Sequence, residues 1–189
     1  MDVTVMSLPG TGARGGLGWG DMCDRWDAAG ASVSDRAGDL MPGRYSAGVL
    51  RFPLIHPPLL AALAACGHGG KVLLADANYS HSTNASPRAA LIHLNVRPGL
   101  VTVDQVLGPV LAAVPVEAVH VMQPDEGPEP EVFGTYRAQF GPDLPLNPLG
   151  RLEFYAACRE PDLAVCVATG DDRLYANILL TVGYIAPPA

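Results

Sequence analysis

From Val49 onward the chain alternates short apolar runs with stretches that carry helix start and stop signals, and few architectures accept that pattern. The runs are Lys71–Ala75, Ala90–Leu94, Ala118–Met122, Leu163–Ala168 and Ile178–Val182. Each is too short for an ordinary helix and has the continuous apolar texture of a strand buried in the middle of a sheet. Between them, Pro57 and Pro58 open a helix through Leu59–Cys66 that stops at Gly67, with proline in the first turn and glycine past the end. Thr102 and Asp104 cap a helix over Gln105–Val114, which Gly108-Pro109 must bend or delay. Helices are also expected over Glu131–Phe140 and Arg151–Arg159. Residues 123–130 and the proline-rich 142–148 read as loops. Strands alternating with helices predict an α/β domain with a largely parallel sheet covered on both faces.

The 189 residues suffice for a single domain with a proper core. Residues 1–48 hold ten of the 21 glycines and show no sustained helix or strand period. Such a segment buries too little to offset its ordering entropy, so it reads as a mostly disordered extension. Trp19 and Trp26 argue for some burial, and a short helix over Asp21–Ala28 fits them. The formal net charge of -7 argues against nucleic acid and anionic membrane surfaces as partners. No apolar run approaches the ~20 residues of a spanning helix, and no secretory signal is visible, which makes the cytoplasm the default location. Cys23, Cys66, Cys158 and Cys166 form no C-x-x-C pair and read as reduced, buried thiols.

In a parallel α/β sheet a ligand belongs beyond the carboxyl ends of the strands. Three polar clusters are expected there: Gly67-His68-Gly69-Gly70, Asp76-Ala77-Asn78 and Tyr175-Ala176-Asn177. His68, flanked by glycines, sits on an open turn, where an imidazole can exchange protons near neutral pH. It reads equally as a residue that merely complements a helix C-terminus. Asp76 is a catalytic or ligand-binding carboxylate, or the head of an Asx turn. Tyr175 and Asn177, if extended, point to one face, where a phenol and a carboxamide suit sugar hydroxyls; the tyrosine could also be edge packing. The scattered histidines His56, His68, His81, His93 and His120 lack zinc-site spacing, so a metal centre is the weaker reading. His93 and His120 fall in strand patterns and read as packed residues. Gly67–Gly70 lacks the phosphate-loop sequence, and Ser80, Ser82 and Thr83 lack a nucleophile elbow.

Several blocks together resemble the L-fucose mutarotase and D-ribose pyranase family. They are Ile55-His56-Pro57-Pro58-Leu59-Leu60 through Gly67-His68-Gly69, Leu73–Asn78, Arg151-Leu152-Glu153-Phe154-Tyr155, and Ala168-Thr169-Gly170 through Tyr175–Leu180, with Gly183 after it. The likeness covers about residues 49–185 and assigns 49–189 as a sugar mutarotase domain. It implies a three-layer α/β/α fold, an isomerase that needs neither metal nor organic cofactor, and a ring-shaped homo-oligomer, often a decamer, with active sites at subunit contacts. It implies L-fucose as the sugar, with D-ribose pyranase activity or a non-catalytic sugar-binding, transport-accessory role as alternatives. It also implies His68 as general acid and Asp76 as the carboxylate that orients the sugar and tunes the histidine. Tyr175 joins them in catalysis, and Arg151, Tyr175, Ala176 and Asn177 bind substrate. Arg151 stands where fucose-type members carry arginine. Gly70, in place of an acid, and Asn78, in place of a histidine, depart from the fucose-type pattern.

Overall fold

The computed structural model describes residue 50 and residues 53–187. The expected extension, residues 1–48, with Cys23, both tryptophans and the short helix over Asp21–Ala28, lies outside the described residues. The elements run α1 (Pro57–Ala65), β1 (Lys71–Ala75), β2 (Ala90–His93), α2 (Val103–Ala113), β3 (Val116–Gln123), α3 (Val132–Phe140), β4 (Leu146–Gly150), α4 (Arg151–Arg159), β5 (Leu163–Ala168) and β6 (Ile178–Val182). The six strands form one sheet in the order β2-β5-β1-β6-β3-β4. β6 runs antiparallel to both of its neighbours, and every other pairing is parallel. Five strands therefore point one way, and the sheet is mostly parallel, as the sequence pattern predicts.

The central strands explain the apolar runs. β1 is buried from Val72 to Ala75, β5 from Val165 to Ala168, and β6 at every position but Thr181. Val72, Leu74, Val165, Val167, Ile178 and Leu180 meet the buried faces of α1, α2 and α3 on one side. Leu73, Ala75, Cys166 and Leu179 meet Phe154 and Cys158 of α4, with Tyr79, on the other. Helices on both faces of the sheet make the three layers. A register shift in the β1–β5 pairing, between Lys71 and Val72, takes up one extra residue in β5; Leu163 then packs on the α4 side and Ala164 on the opposite one.

Local signals set the helix ends. His56 Nδ1 accepts from the Leu59 N–H at 3.2 Å and caps α1, so this histidine is spent on the backbone. α2 begins at Val103 and runs through Pro109 without delay. Its start is tied twice: the Thr102 N–H donates to Gln105 Oε1 at 3.0 Å, and the Val103 N–H donates to Asp171 Oδ2 at 2.9 Å.

One element departs from the sequence reading. Residues 142–148 are expected to be a loop, but Leu146–Gly150 is a strand, paired in parallel with β3 only. Pro148 cannot donate to a ladder, yet an edge strand leaves one side unpaired, and there proline is tolerated. Two cysteines, Cys158 and Cys166, are buried free thiols, and Cys66 is part-exposed. Burial pushes Cys158 up to about 11 and Cys166 up to about 12, so both stay protonated near neutral pH. Among the described residues, no helix is long and apolar enough to cross a membrane.

Candidate active site

Because β6 is reversed, its amino end lies at the same edge of the sheet as the carboxyl ends of the other five strands. β1 delivers Asp76 to that edge and the turn before β6 delivers Asn177, two residues 101 positions apart in sequence. They form a reciprocal pair. The Asp76 N–H donates to Asn177 Oδ1 at 2.9 Å, and Asn177 Nδ2 donates to Asp76 Oδ2 at 2.7 Å. The Asn78 N–H donates to Asp76 Oδ1 at 3.0 Å. The Asx turn read from the sequence is thus formed, on the same carboxylate that the site reading uses. With the Tyr79 N–H as a third donor, the carboxylate still keeps one lone pair that no protein group fills.

Asp76 is only 3% exposed. Burial pushes its carboxyl above the usual range, helped by the negative charge of Asp171; the hydrogen bonds from Asn78, Asn177 and Tyr79 oppose the shift without cancelling it. A carboxylate made more basic in this way is a better proton acceptor near neutral pH.

Behind the pair lies a clamp built from Thr169 and Asp171. Thr169 Oγ1 donates to the Ala75 carbonyl at 2.8 Å, and the Ala77 N–H donates to the Asp171 carbonyl at 2.8 Å. These bonds lock the chain on either side of Asp76. The fully buried Asp171 carboxylate accepts from Val103 and from Arg173 Nε at 2.9 Å, and Arg173 also reaches Asp104. Burial alone would raise Asp171, but the Arg173 guanidinium and the backbone donors outweigh it and hold the carboxyl below the usual range. A Cβ on Gly170 would collide with the carbonyl oxygens of Arg97 and Leu100, so glycine lets two loops meet behind the site.

The Tyr175–Asn177 corner is bent. Tyr175 has φ 63°, a left-handed conformation uncommon outside glycine, so the alternation expected of an extended segment does not apply. Tyr175 packs part-buried against the cluster on the α4 face. Ala176 is buried, and its carbonyl accepts from the Tyr136 hydroxyl at 2.7 Å. Tyr136, unnoticed in the sequence, thereby fixes the middle of this corner.

Arg151 is the first residue of α4, directly after β4, and is exposed. β4 stands three strands from β1 at the same edge, about 14 Å across the sheet at the usual strand spacing.

His68 is elsewhere. A helix-to-strand turn enters the amino end of its strand, so the expectation that Gly67–Gly70 lies at the carboxyl edge is corrected. The five residues of β1, about 16 Å of strand, separate the two ends. Within one chain His68 does not meet Asp76; the carboxylate it touches is Glu117, at 2.9 Å. The Gly70 departure has a local cause: a Cβ there would come within 2.5 Å of Cys66 Sγ and 3.0 Å of the Gly67 carbonyl.

The remaining histidines are dispersed. His81 and His93 have ring centroids 5.7 Å apart, and His93 is exposed beside Asn95. His120 Nδ1 is buried without a hydrogen-bond partner among the described residues, and burial lowers that imidazole's affinity for a proton. No group of three or more His, Cys, Asp or Glu among the described residues is placed to hold a metal ion.

In this three-layer α/β domain the buried carboxylate–carboxamide pair stands beyond the carboxyl ends of the parallel strands, the edge at which open α/β sheets bind their ligands. The chain belongs to the RbsD / FucU transport protein family, which it matches over residues 50–185. It is 31% identical over 150 residues to the fucose mutarotase of Bos taurus, covering 71% of this chain and 92% of that protein. It is 33% identical over 139 residues to the D-ribose pyranase of Paracidovorax citrulli, covering 70% of this chain and 96% of that protein. Among solved structures, the fucose mutarotase from Streptococcus pneumoniae in complex with L-fucose is 30% identical with a TM-score of 0.61, covering 72% of this chain and 99% of that one. The curated relatives are isomerase-type enzymes of carbohydrate metabolism.

Proposed function

We propose that this protein is a cofactor-independent mutarotase that exchanges the anomers of a free monosaccharide, with L-fucose the first candidate. The observation that carries the proposal is the reciprocal Asp76–Asn177 pair: a buried carboxylate of raised basicity, oriented by the Asn78 N–H and by Asn177 Nδ2 and still able to accept from a hydroxyl. Anomer exchange needs a base to take the proton from the anomeric hydroxyl and an acid to protonate the ring oxygen as the C1–O5 bond breaks. The open aldehyde then rotates about C1–C2 and closes on its other face, with the proton transfers reversed. Paired acid–base catalysis contributes typically ~10²–10⁴ in rate, which suffices for a reaction that already proceeds in water.

In this reading Asp76 accepts from the anomeric hydroxyl. Asn177 and Tyr175 bind neighbouring hydroxyls, Ala176 lines the corner with its backbone, and Arg151 donates to a ring or side hydroxyl. His68 is the proton donor. Since it stands at the opposite end of β1, a second copy of the chain supplies it, and the active unit is a homo-oligomer in which the His68 end of one copy meets the Asp76 end of another. A cytoplasmic location agrees with the family's metabolic role.

Saturation-transfer NMR between α- and β-L-fucose tests the proposal. Exchange is expected for the wild type and a loss of ~10²-fold or more for Asp76→Ala and for His68→Ala. Equal rates in the wild type and both variants would overturn it. A D-ribose pyranase is the second reading, favoured by the 33% identity to such an enzyme; the same measurement on D-ribose, following pyranose and furanose forms, separates the two.

A further inference from the structure

We propose that Glu117 is the positioning residue for the proton-donating imidazole: it receives His68 Nε2–H and so leaves Nδ1 as the atom that exchanges a proton with the sugar. This rests on the proposed role of His68.

Three separate elements bring the dyad together. His68 lies in the turn between α1 and β1, and Glu117 is the second residue of β3. The end of β6 stands between them. The Gly69 N–H donates to the Val182 carbonyl at 2.8 Å, the Val182 N–H donates to the Gly70 carbonyl at 2.9 Å, and the Gly183 N–H donates to the Pro115 carbonyl at 2.9 Å. These bonds fix the turn and the start of β3 against one strand end, and so fix His68 relative to Glu117. Gly183 lies directly against Glu117: a Cβ there would stand in ordinary contact with Glu117 Cβ at 3.4 Å and with its Oε2 at 3.6 Å. On another side, the Tyr184 ring stands 5.2 Å from the imidazole, tilted by 57°. The imidazole is thus held by a carboxylate at Nε2, 2.9 Å away, and by an aromatic ring.

The chemistry follows from the donor inventory. A carboxylate can only accept, so the bonded imidazole nitrogen must carry its hydrogen, in the neutral ring as in the charged one. Nε2 is then committed and Nδ1 is the site that gains and loses the proton. In the acid step Nδ1–H protonates the ring oxygen as the C1–O5 bond breaks. The neutral Nε2–H ring remains, and on reclosure Nδ1 takes the proton back. Glu117 holds one ring orientation and one tautomer throughout and touches no substrate. A base oriented by a third group is a recurring design in acid–base and nucleophilic catalysis.

The test uses the full-length protein with ¹⁵N-labelled histidine. Long-range ¹H–¹⁵N correlation of the free wild type, with His68→Ala assigning the signals, is expected to show His68 as a single Nε2–H tautomer in its neutral form. In Glu117→Ala the two nitrogen shifts move towards each other as tautomers mix, and kcat for anomer exchange falls at least ~10-fold with KM within about twofold. Glu117→Gln, which keeps an acceptor oxygen without charge, is expected to fall between them. A mixed tautomer in the wild type, or a Glu117→Ala variant with the wild-type tautomer or wild-type kcat, would overturn the assignment. If His68→Ala turns over at the wild-type rate, the proposed function itself loses its acid; if His68→Ala is inactive while Glu117→Ala is not, only the dyad falls.

Discussion

At the scale of single residues, what decides this site is how one buried carboxylate is made basic while its neighbour is kept acidic. Asp76 and Asp171 share the carboxyl edge, but the guanidinium of Arg173 pairs with Asp171 and not with Asp76. The two titrate in opposite directions from the ordinary value of 3.8, Asp76 upward and Asp171 downward. For Asp171 the folded state binds a proton more weakly than the unfolded chain does. Its contribution to stability is therefore complete above pH 3.8 and is lost as pH falls through the lower, folded value. Asp171→Asn is expected to cost about 2–3 kcal/mol at pH 7 in urea unfolding, with the gap to the wild type closing below pH 3.8. A gap that stays constant to pH 2 would remove Asp171 from this role. Sequence alone could single out Asp76 and the Tyr-x-Asn segment because each stands at the end of an apolar run. Asp171 and Tyr136 were not legible, since their roles depend on contacts 68 and 40 residues away.

At the scale of elements, the corner before β6 depends on one hydroxyl from α3. Tyr136→Phe leaves the buried Ala176 carbonyl without its donor and is expected to lower stability by about 1–3 kcal/mol, with a raised KM for the sugar as Tyr175 and Asn177 lose their fixed frame. Thermal unfolding and anomer-exchange kinetics on one preparation check both effects; an unchanged KM would leave Tyr136 a packing residue only. Elements whose apolar residues are buried were read from sequence nearly to the residue, as β1 and β5 illustrate. β4 was not, because an edge strand with the sequence LNPLG carries neither continuous apolar character nor clean alternation, and its proline argues for a loop. The direction of β6 was equally hidden: apolar composition marks a strand as central but carries no sign of which way it runs.

At the scale of the whole molecule, an imidazole at one end of the sheet and a carboxylate at the other make the proposed enzyme a property of an assembly. Mixing inactive His68→Ala and Asp76→Ala chains, after dissociation and reassociation, is expected to restore about a quarter of wild-type exchange, since random pairing gives that share of sites two intact halves. No recovery, with mixed oligomers demonstrated by native mass spectrometry, would place both groups in one chain's site. The sheet order has its own consequence. β6 follows the other five strands in sequence yet stands in the middle of the sheet, and it alone joins the β2-β5-β1 half to the β3-β4 half. A nascent chain leaving the ribosome therefore carries two unconnected half-sheets until its final strand emerges. It must keep their facing edges from pairing wrongly during that interval, and folding and the completion of the Asp76–Asn177 pair become a single, late event.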